Sequence, residues 1–276
     1  MTRKIRTNMI RYIVLLVLTV ACLIPIVTIV LTATKSRADF FSGLGLFELP
    51  QQLYWANFTT ALFDANILQY MWNSLLISIV KVPIGILVAA LAAFAITRLQ
   101  IKFPRGFLIY FLIGMMVPFQ VALVPLNGFF ANHGLINSFW AVTYVYIAFG
   151  LPFAILVLRG FFNSIPRDID EAAYIDGCTK LRLFFLVIFP LAKPAVASLF
   201  ILDFLATWNE YILASVLIRD RSRQLVTAGL MNFVGQYGTD FGLLAAGVLI
   251  AVIPVMIVYI ILQKHFVEGM AGAVKG

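Results

Sequence analysis

The sequence predicts an all-α integral membrane protein with six transmembrane helices, and three observations carry that reading. Apolar residues fill 62% of the 276 positions and charged residues 12%, against roughly 45–50% and 25% in soluble domains. Six windows, at about 11–34, 72–97, 106–131, 138–160, 194–218 and 241–263, reach the length of about 20 apolar residues that a roughly 30 Å hydrocarbon core demands. None of them alternates with the period of a strand, and lipid offers no partners to open backbone groups, so each is expected to be a helix. The chain is read as a single transmembrane domain over 1–276, with one long loop at 161–193 and a tail at 264–276.

The first window follows MTRKIRTNMIR, a basic start that a secretory leader shares, but its apolar stretch exceeds the roughly 7–15 residues of a leader and is expected to be retained as a span. Cys22 lies after LTVA, whose leucine is one position too far upstream for a lipidation box, and reads as a membrane-facing thiol. The second window carries Lys81 and the fifth carries Asp203 and Glu210. Pro25, Pro83, Pro118, Pro125, Pro152 and Pro254 punctuate the spans. Such breaks free backbone groups to line a cavity or let a helix bend, and the sequence assigns none of them a role.

Charge sets the orientation. Fourteen Lys and Arg fall on the face that holds both termini and the loop 161–193, including Arg98, Arg167, Lys193 and Lys264, while five fall on the opposite face. The positive-inside rule therefore places both termini and that loop in the cytoplasm. Acidic residues divide equally between the faces, so the net charge of +8 expresses orientation and gives no nucleic-acid surface.

The loop is itself structured. Ser164 is a candidate cap, Pro166 pre-sets a first turn, Asp168, Asp170 and Glu171 complement the positive helix end, and Gly177 is a natural stop. Ile169, Ala172, Ala173 and Asp176 recur at helical spacing, a small-residue stripe suited to another protein's groove or to rest among lipid headgroups, with Tyr174 as a side anchor. A second helix, CTKLRLFFLVIFPL, then returns toward the bilayer and is broken at Pro190 and Pro194.

Glu171-Ala172-Ala173, then Gly177, then a hydrophobic close at Val187, Phe189 and Pro190 resemble the EAA loop of permease subunits in binding-protein-dependent ABC importers. NSL at 73–75, TWNEYILA at 207–214, GQYGTDFGLLAAG at 235–247 and the ending AGAVKG at 271–276 are similar to the MalG-type members of the carbohydrate branch. The resemblance implies a type I ABC importer fold in a bacterial inner membrane and a sugar or oligosaccharide as cargo. It also implies a MalF-like second permease, two ATPase subunits and an extracytoplasmic solute-binding protein as partners. Glu171, Ala172, Ala173, Tyr174, Asp176 and Gly177 are then the ATPase-coupling residues, and Gly272, Lys275 and Gly276 the ATPase-contacting tail. That tail is one residue shorter than the usual spacing before AGAVKG.

No GxxxxGK[ST] loop occurs, so the chain is expected to be non-catalytic and to bind no cofactor, ATP and Mg being used by the partner ATPase. His133 and His265 fall near opposite faces, Cys178 is about 150 positions from Cys22, and no metal site or nucleophilic triad is expected. Lys81 and Glu210 each lie 17 positions beyond a basic residue at the inner end, hence roughly 25 Å outward at about 1.5 Å per residue, and form a candidate intramembrane pair. Asp203, ten positions from Lys193, reads as a structural hydrogen-bonding group. Trp208, Asn209 and Tyr211 are candidate sugar contacts or members of an interfacial aromatic belt. Other small solutes, such as glycerol phosphate or a polyamine, remain as cargo, and an ion-coupled secondary carrier or a structural anchor are readings from different classes.

Overall fold

Apolar runs without strand periodicity fold as helices through most of the described residues, 2–235 and 238–274 of a computed structural model, with side chains described over 8–234 and 239–264. In chain order these are α1 (Thr2–Ala33), α2 (Arg37–Phe41), α3 (Ala56–Thr59), α4 (Ile67–Arg98), α5 (Pro104–Met116), α6 (Phe119–Asn132) and α7 (Phe139–Ser164). There follow α8 (Asp168–Ile175), α9 (Lys180–Arg182), α10 (Phe189–Leu191), α11 (Lys193–Asn209), α12 (Ile212–Leu217), α13 (Val226–Leu230) and α14 (Phe241–Val274). Between α13 and α14 a two-residue strand β1 (Val234–Gly235) pairs antiparallel with β2 (Gly238–Thr239).

Among the described residues four helices are long and apolar enough to cross a membrane unaided, over Asn8–Ala33, Ile67–Arg98, Phe139–Ser164 and Phe241–Lys264, and two bent helix pairs bring the number to six if each is one span. The uninterrupted third span expected at 106–131 is instead α5 and α6, bent by 88°. Pro118 marks the break: the helical region is disfavoured for a residue before proline, and Val117 is extended at φ −81° and ψ 113°. Pro25, Pro83, Pro125, Pro152 and Pro254 sit inside helices that continue through them. The fifth span also differs from the expected 194–218: α11 meets the preceding segment at 74° and stops at Asn209, with Glu210 extended at φ −69° and ψ 129° before α12 begins.

The chain forms two compact units, Met1–Leu68 with Gly229–Ile253, and Gln69–Ala228 with Pro254–Gly276. In the first, Asn57 donates from Nδ2 to the carbonyls of Ala33 at 2.9 Å and Lys35 at 2.8 Å, satisfying acceptors that the end of α1 leaves open. Lys35, wholly buried, donates to Gly45 O at 2.6 Å, and α2 starts on a Ser36–Asp39 capping box.

The second unit packs α4, α6, α7 and α12 around Ile77, Phe130, Val142, Val145, Leu213 and Leu217. Lipid tails are as apolar as these side chains, so helix association there rests on close packing. The stripe Val82, Ile86, Ala89, Ala90 and Ala93 on α4 is fully or almost fully buried, its alanines letting neighbouring backbones approach.

Candidate functional site

Two ion-paired sites on the second unit are anchored on α4. At its far end Arg98 is buried and donates from Nη1 to Asp170 of α8 at 2.7 Å, from Nη2 to Ile165 O at 2.7 Å, and to Phe162 O. Arg167 lies 3.7 Å from the same carboxylate and donates to Thr97 O. Helix α8 is therefore fastened to α4 by a buried ion pair that both sides reinforce.

That clamp fixes the rotation of α8. Asp170 and, three residues on, Ala173 turn inward, whereas Glu171, Ala172, Tyr174, Ile175 and Asp176 are exposed, Ile175 at 87%. The expected partner-facing stripe of Ile169, Ala172, Ala173 and Asp176 is not a single outward face, because Ala173 at 7% exposure is shut against its own chain. Nor does Ser164 cap the helix: its hydroxyl bonds Phe161 O, and Arg167 occupies the cap position without a side-chain bond to the opening amides of α8.

The stop after α8 is glycine-dependent. Gly177 has φ +79°, its amide donates to Tyr174 O at 3.0 Å and the Cys178 amide donates to Ala173 O at 2.9 Å, which together close a Schellman motif. Thr179 then caps α9, and a π-helical turn over Leu183–Ile188 precedes Pro190, which has no N–H to continue a regular ladder. Leu183, Phe184 and Ile188 of this turn are buried, Phe184 packing on Phe94 of α4 at 5.2 Å.

Nearer the middle of α4 lies a cavity of about 210 Å³ lined by Lys81, Phe119, Tyr146, Phe149, Gly150, Asp203, Ala206, Thr207, Glu210 and Leu213. Lys81 bonds Asp203, so the expected Lys81–Glu210 pair does not form. The depth count assumed an unbent fifth span, whereas Lys193 opens α11 at a 74° bend and α11 ends at Asn209, before Glu210. Gly150 makes room for the pair, since a Cβ there would stand 3.3 Å from Lys81 Nζ and 3.5 Å from Asp203 Oδ1.

Glu210 has other work. It accepts from the Leu213 amide at 2.7 Å, the Ala214 amide at 3.0 Å and the Tyr146 hydroxyl, so one carboxylate satisfies the opening amides of α12 where the fifth span breaks. Thr227 completes the junction by donating to Glu210 O at 2.6 Å.

Of the aromatic and amide set, Trp208 is 3% exposed and stacks on Phe204 with centroids 5.6 Å apart, inside the packing and away from the cavity. Asn209 and Tyr211 are exposed but do not line it. Phe119, Tyr146 and Phe149 take that place; a lone aromatic in an apolar run gives no sequence signal. In the tail, Gly272 falls within α14, while Lys275 and Gly276 lie outside the described residues.

Residues 81–272 match the family model described as "Binding-protein-dependent transport system inner membrane component". The chain is 36% identical over 258 residues to the probable ABC transporter permease protein YurM of Bacillus subtilis (strain 168), covering 93% of this chain and 85% of that one. It is 33% identical over 265 residues to the diacetylchitobiose uptake system permease protein NgcG of Streptomyces coelicolor, covering 95% and 85%. Its fold matches a chain of a bacterial ABC transporter involved in the import of the acidic polysaccharide alginate, with a TM-score of 0.79, 24% identity and coverage of 94% and 96%.

Proposed function

The chain belongs to the family of inner membrane components of binding-protein-dependent transport systems, and on that premise we propose that it is the permease subunit through which an ABC importer moves a sugar or oligosaccharide. Similarity to a diacetylchitobiose uptake permease over 95% of the chain supports a saccharide as cargo. On this reading the termini and α8 face the cytoplasm, a second, MalF-like permease completes the pathway, and an extracytoplasmic binding protein delivers the sugar. Two ATPase subunits bind ATP and Mg and carry out the hydrolysis, which this chain does not perform.

One observation carries the reading: α4 holds both Arg98, which grips α8, and Lys81, which lines the cavity, with 17 positions of unbroken helix between them. At about 1.5 Å per residue that is a rigid strut of roughly 25 Å. Movement of α8 by an ATPase is delivered to the cavity wall without any flexible link. Glu171, Ala172, Tyr174, Ile175 and Asp176 form the surface on which the ATPase sits, Gly177 sets where α8 ends, and Ala173 acts from beneath by seating the helix. The tail around Gly272, Lys275 and Gly276 supplies a second contact with the ATPase.

The test is disulfide cross-linking in membranes containing the assembled complex, from cysteines placed at Ile175 and Ala172 to a cysteine panel on the ATPase. A nucleotide-sensitive cross-link is expected from Ile175 and Ala172, and none from Ala173 used as the buried control. Failure of both exposed positions in an assembled complex would end the proposal that α8 is the mechanical joint.

A further inference from the structure

The cavity on α4 also carries information about which saccharide it accepts. Its lining contains one cationic side chain, Lys81, against two acidic ones, Asp203 and Glu210. Lys81 is spent on Asp203, and its side chain is 4% exposed. Among the described residues no other basic one lines the cavity, so an anionic group entering it finds no free cation and meets Glu210, whose charge no cation balances, in a medium of low dielectric where like charges repel strongly.

The same wall suits neutral hydroxyls. Asp203 has its side chain 21% exposed and bonds Lys81 through Oδ1, leaving Oδ2 as an acceptor, while Glu210 already accepts from Tyr146 and two backbone amides. Phe149 and Phe119 meet edge to face at 6.4 Å, giving the apolar side of a sugar ring an aromatic surface. At about 210 Å³ the cavity is smaller than the roughly 300–1,000 Å³ of complete small-molecule sites, which is the size expected of half a site.

Resting on the importer reading above, we infer that this cavity is the subunit's half of the translocation site, and that it selects neutral, hydroxyl-rich saccharides and rejects acidic ones. The Lys81–Asp203 pair is the selecting element, because it removes the cation that an acidic sugar requires.

The experiment is equilibrium binding to the whole permease–ATPase complex in nanodiscs, without the binding protein, so that only the membrane site is read. Labelled diacetylchitobiose and raffinose are the neutral probes and trigalacturonate is the acidic one. A neutral probe is expected to bind, to weaken at least about tenfold in Phe149→Ala, and to resist competition by trigalacturonate. Asp203→Asn, which frees Lys81, is expected to let trigalacturonate compete. Co-elution with the ATPase subunits confirms that each variant is assembled.

Wild-type competition by trigalacturonate, or an Asp203→Asn complex that still excludes it, overturns the selectivity inference and leaves saccharide import standing. A neutral probe that binds equally to Phe149→Ala overturns the placement of the site. Absence of binding by every saccharide at millimolar concentration sinks both the inference and the sugar reading beneath it.

Discussion

Helix α4 carries two ion pairs that look alike in composition and differ in surroundings. Arg98–Asp170 has side chains 1% and 9% exposed and is sealed by two further carbonyls, whereas Lys81–Asp203 has side chains 4% and 21% exposed and faces a cavity. Burial is what divides their roles. A pair shut away from water and braced by the Phe162 and Ile165 carbonyls is held in place, so it behaves as a clamp. A pair with one partner toward an open space can exchange its partner for a passing hydroxyl, so it behaves as a wall that cargo can touch.

The largest expected effect tests the clamp. Asp170→Ala leaves Arg98 buried with no counter-charge, a change that costs about 3–5 kcal/mol in comparable buried pairs. The variant should lose thermal stability and cease to co-purify with the ATPase, since α8 would no longer be held in one rotation. Combining Arg98→Met with Asp170→Leu removes both charges and is expected to recover stability but not uptake, which separates fastening from folding. Should Asp170→Ala melt and couple like the parent, the clamp would be no more than a contact.

The wall is probed by Gly150→Ala. The added methyl would press within 3.3 Å of Lys81 Nζ and 3.5 Å of Asp203 Oδ1, and overpacking of that kind costs about 1–3 kcal/mol. Uptake is expected to fall about tenfold while co-purification with the ATPase is retained, the reverse of the Asp170→Ala pattern. Gly85→Ala serves as the graded control, because its Cβ would meet Asp203 Oδ2 at an ordinary 3.9 Å and should change little.

This division was only partly legible in the sequence. Bulk composition and window length place apolar spans because lipid acts on every residue of a span alike. A single proline is a weaker signal: seven of them occur in the windows, and only the structure shows that the span holding Pro118 bends by 88° there while Pro152 passes within α7. The Arg98–Asp170 clamp joins positions 72 apart, and nothing local marks either residue for the other. The rotation of α8 is hidden for the same reason, since the small-residue stripe carries no sign of the carboxylate that turns Ala173 inward. The sequence marks Glu210 as a carboxylate in an apolar run but not its role, because a carboxylate that caps a broken helix and one that pairs with a lysine look the same there.

The turn that ends α8 belongs to neither pair. Gly177→Ala forces a Cβ into a left-handed backbone at φ +79°, at a cost of about 1–2 kcal/mol. The strain should fray the Schellman closure and let α8 tilt without disturbing the cavity. Saccharide binding to the complex is expected to stay unchanged while ATP-driven uptake drops severalfold, and Gly177→Asn should fall between the two because asparagine tolerates that conformation better. Equal losses in binding and uptake would show that turn and cavity are not separable.

The smallest effect belongs to a carboxylate that is neither buried nor facing a cavity. Asp220 is exposed and accepts from the Ser222 hydroxyl at 2.8 Å and the Ser222 amide at 2.9 Å, bonds that hold its pKa below the ordinary 3.8. A depressed carboxylate stabilises the fold fully above its unfolded value and loses that contribution as pH falls through the lower folded value. The loss is therefore confined to pH below 3.8, and Ser222→Ala, by removing the larger of the two bonds, should shift it upward toward that value. Amide exchange at residue 222, followed from about pH 6 to about pH 3, is expected to show earlier release in the variant, with uptake at neutral pH the same in both. A neutral-pH uptake defect in Ser222→Ala would mean that this exposed turn shares the mechanical duty here given to the two pairs on α4.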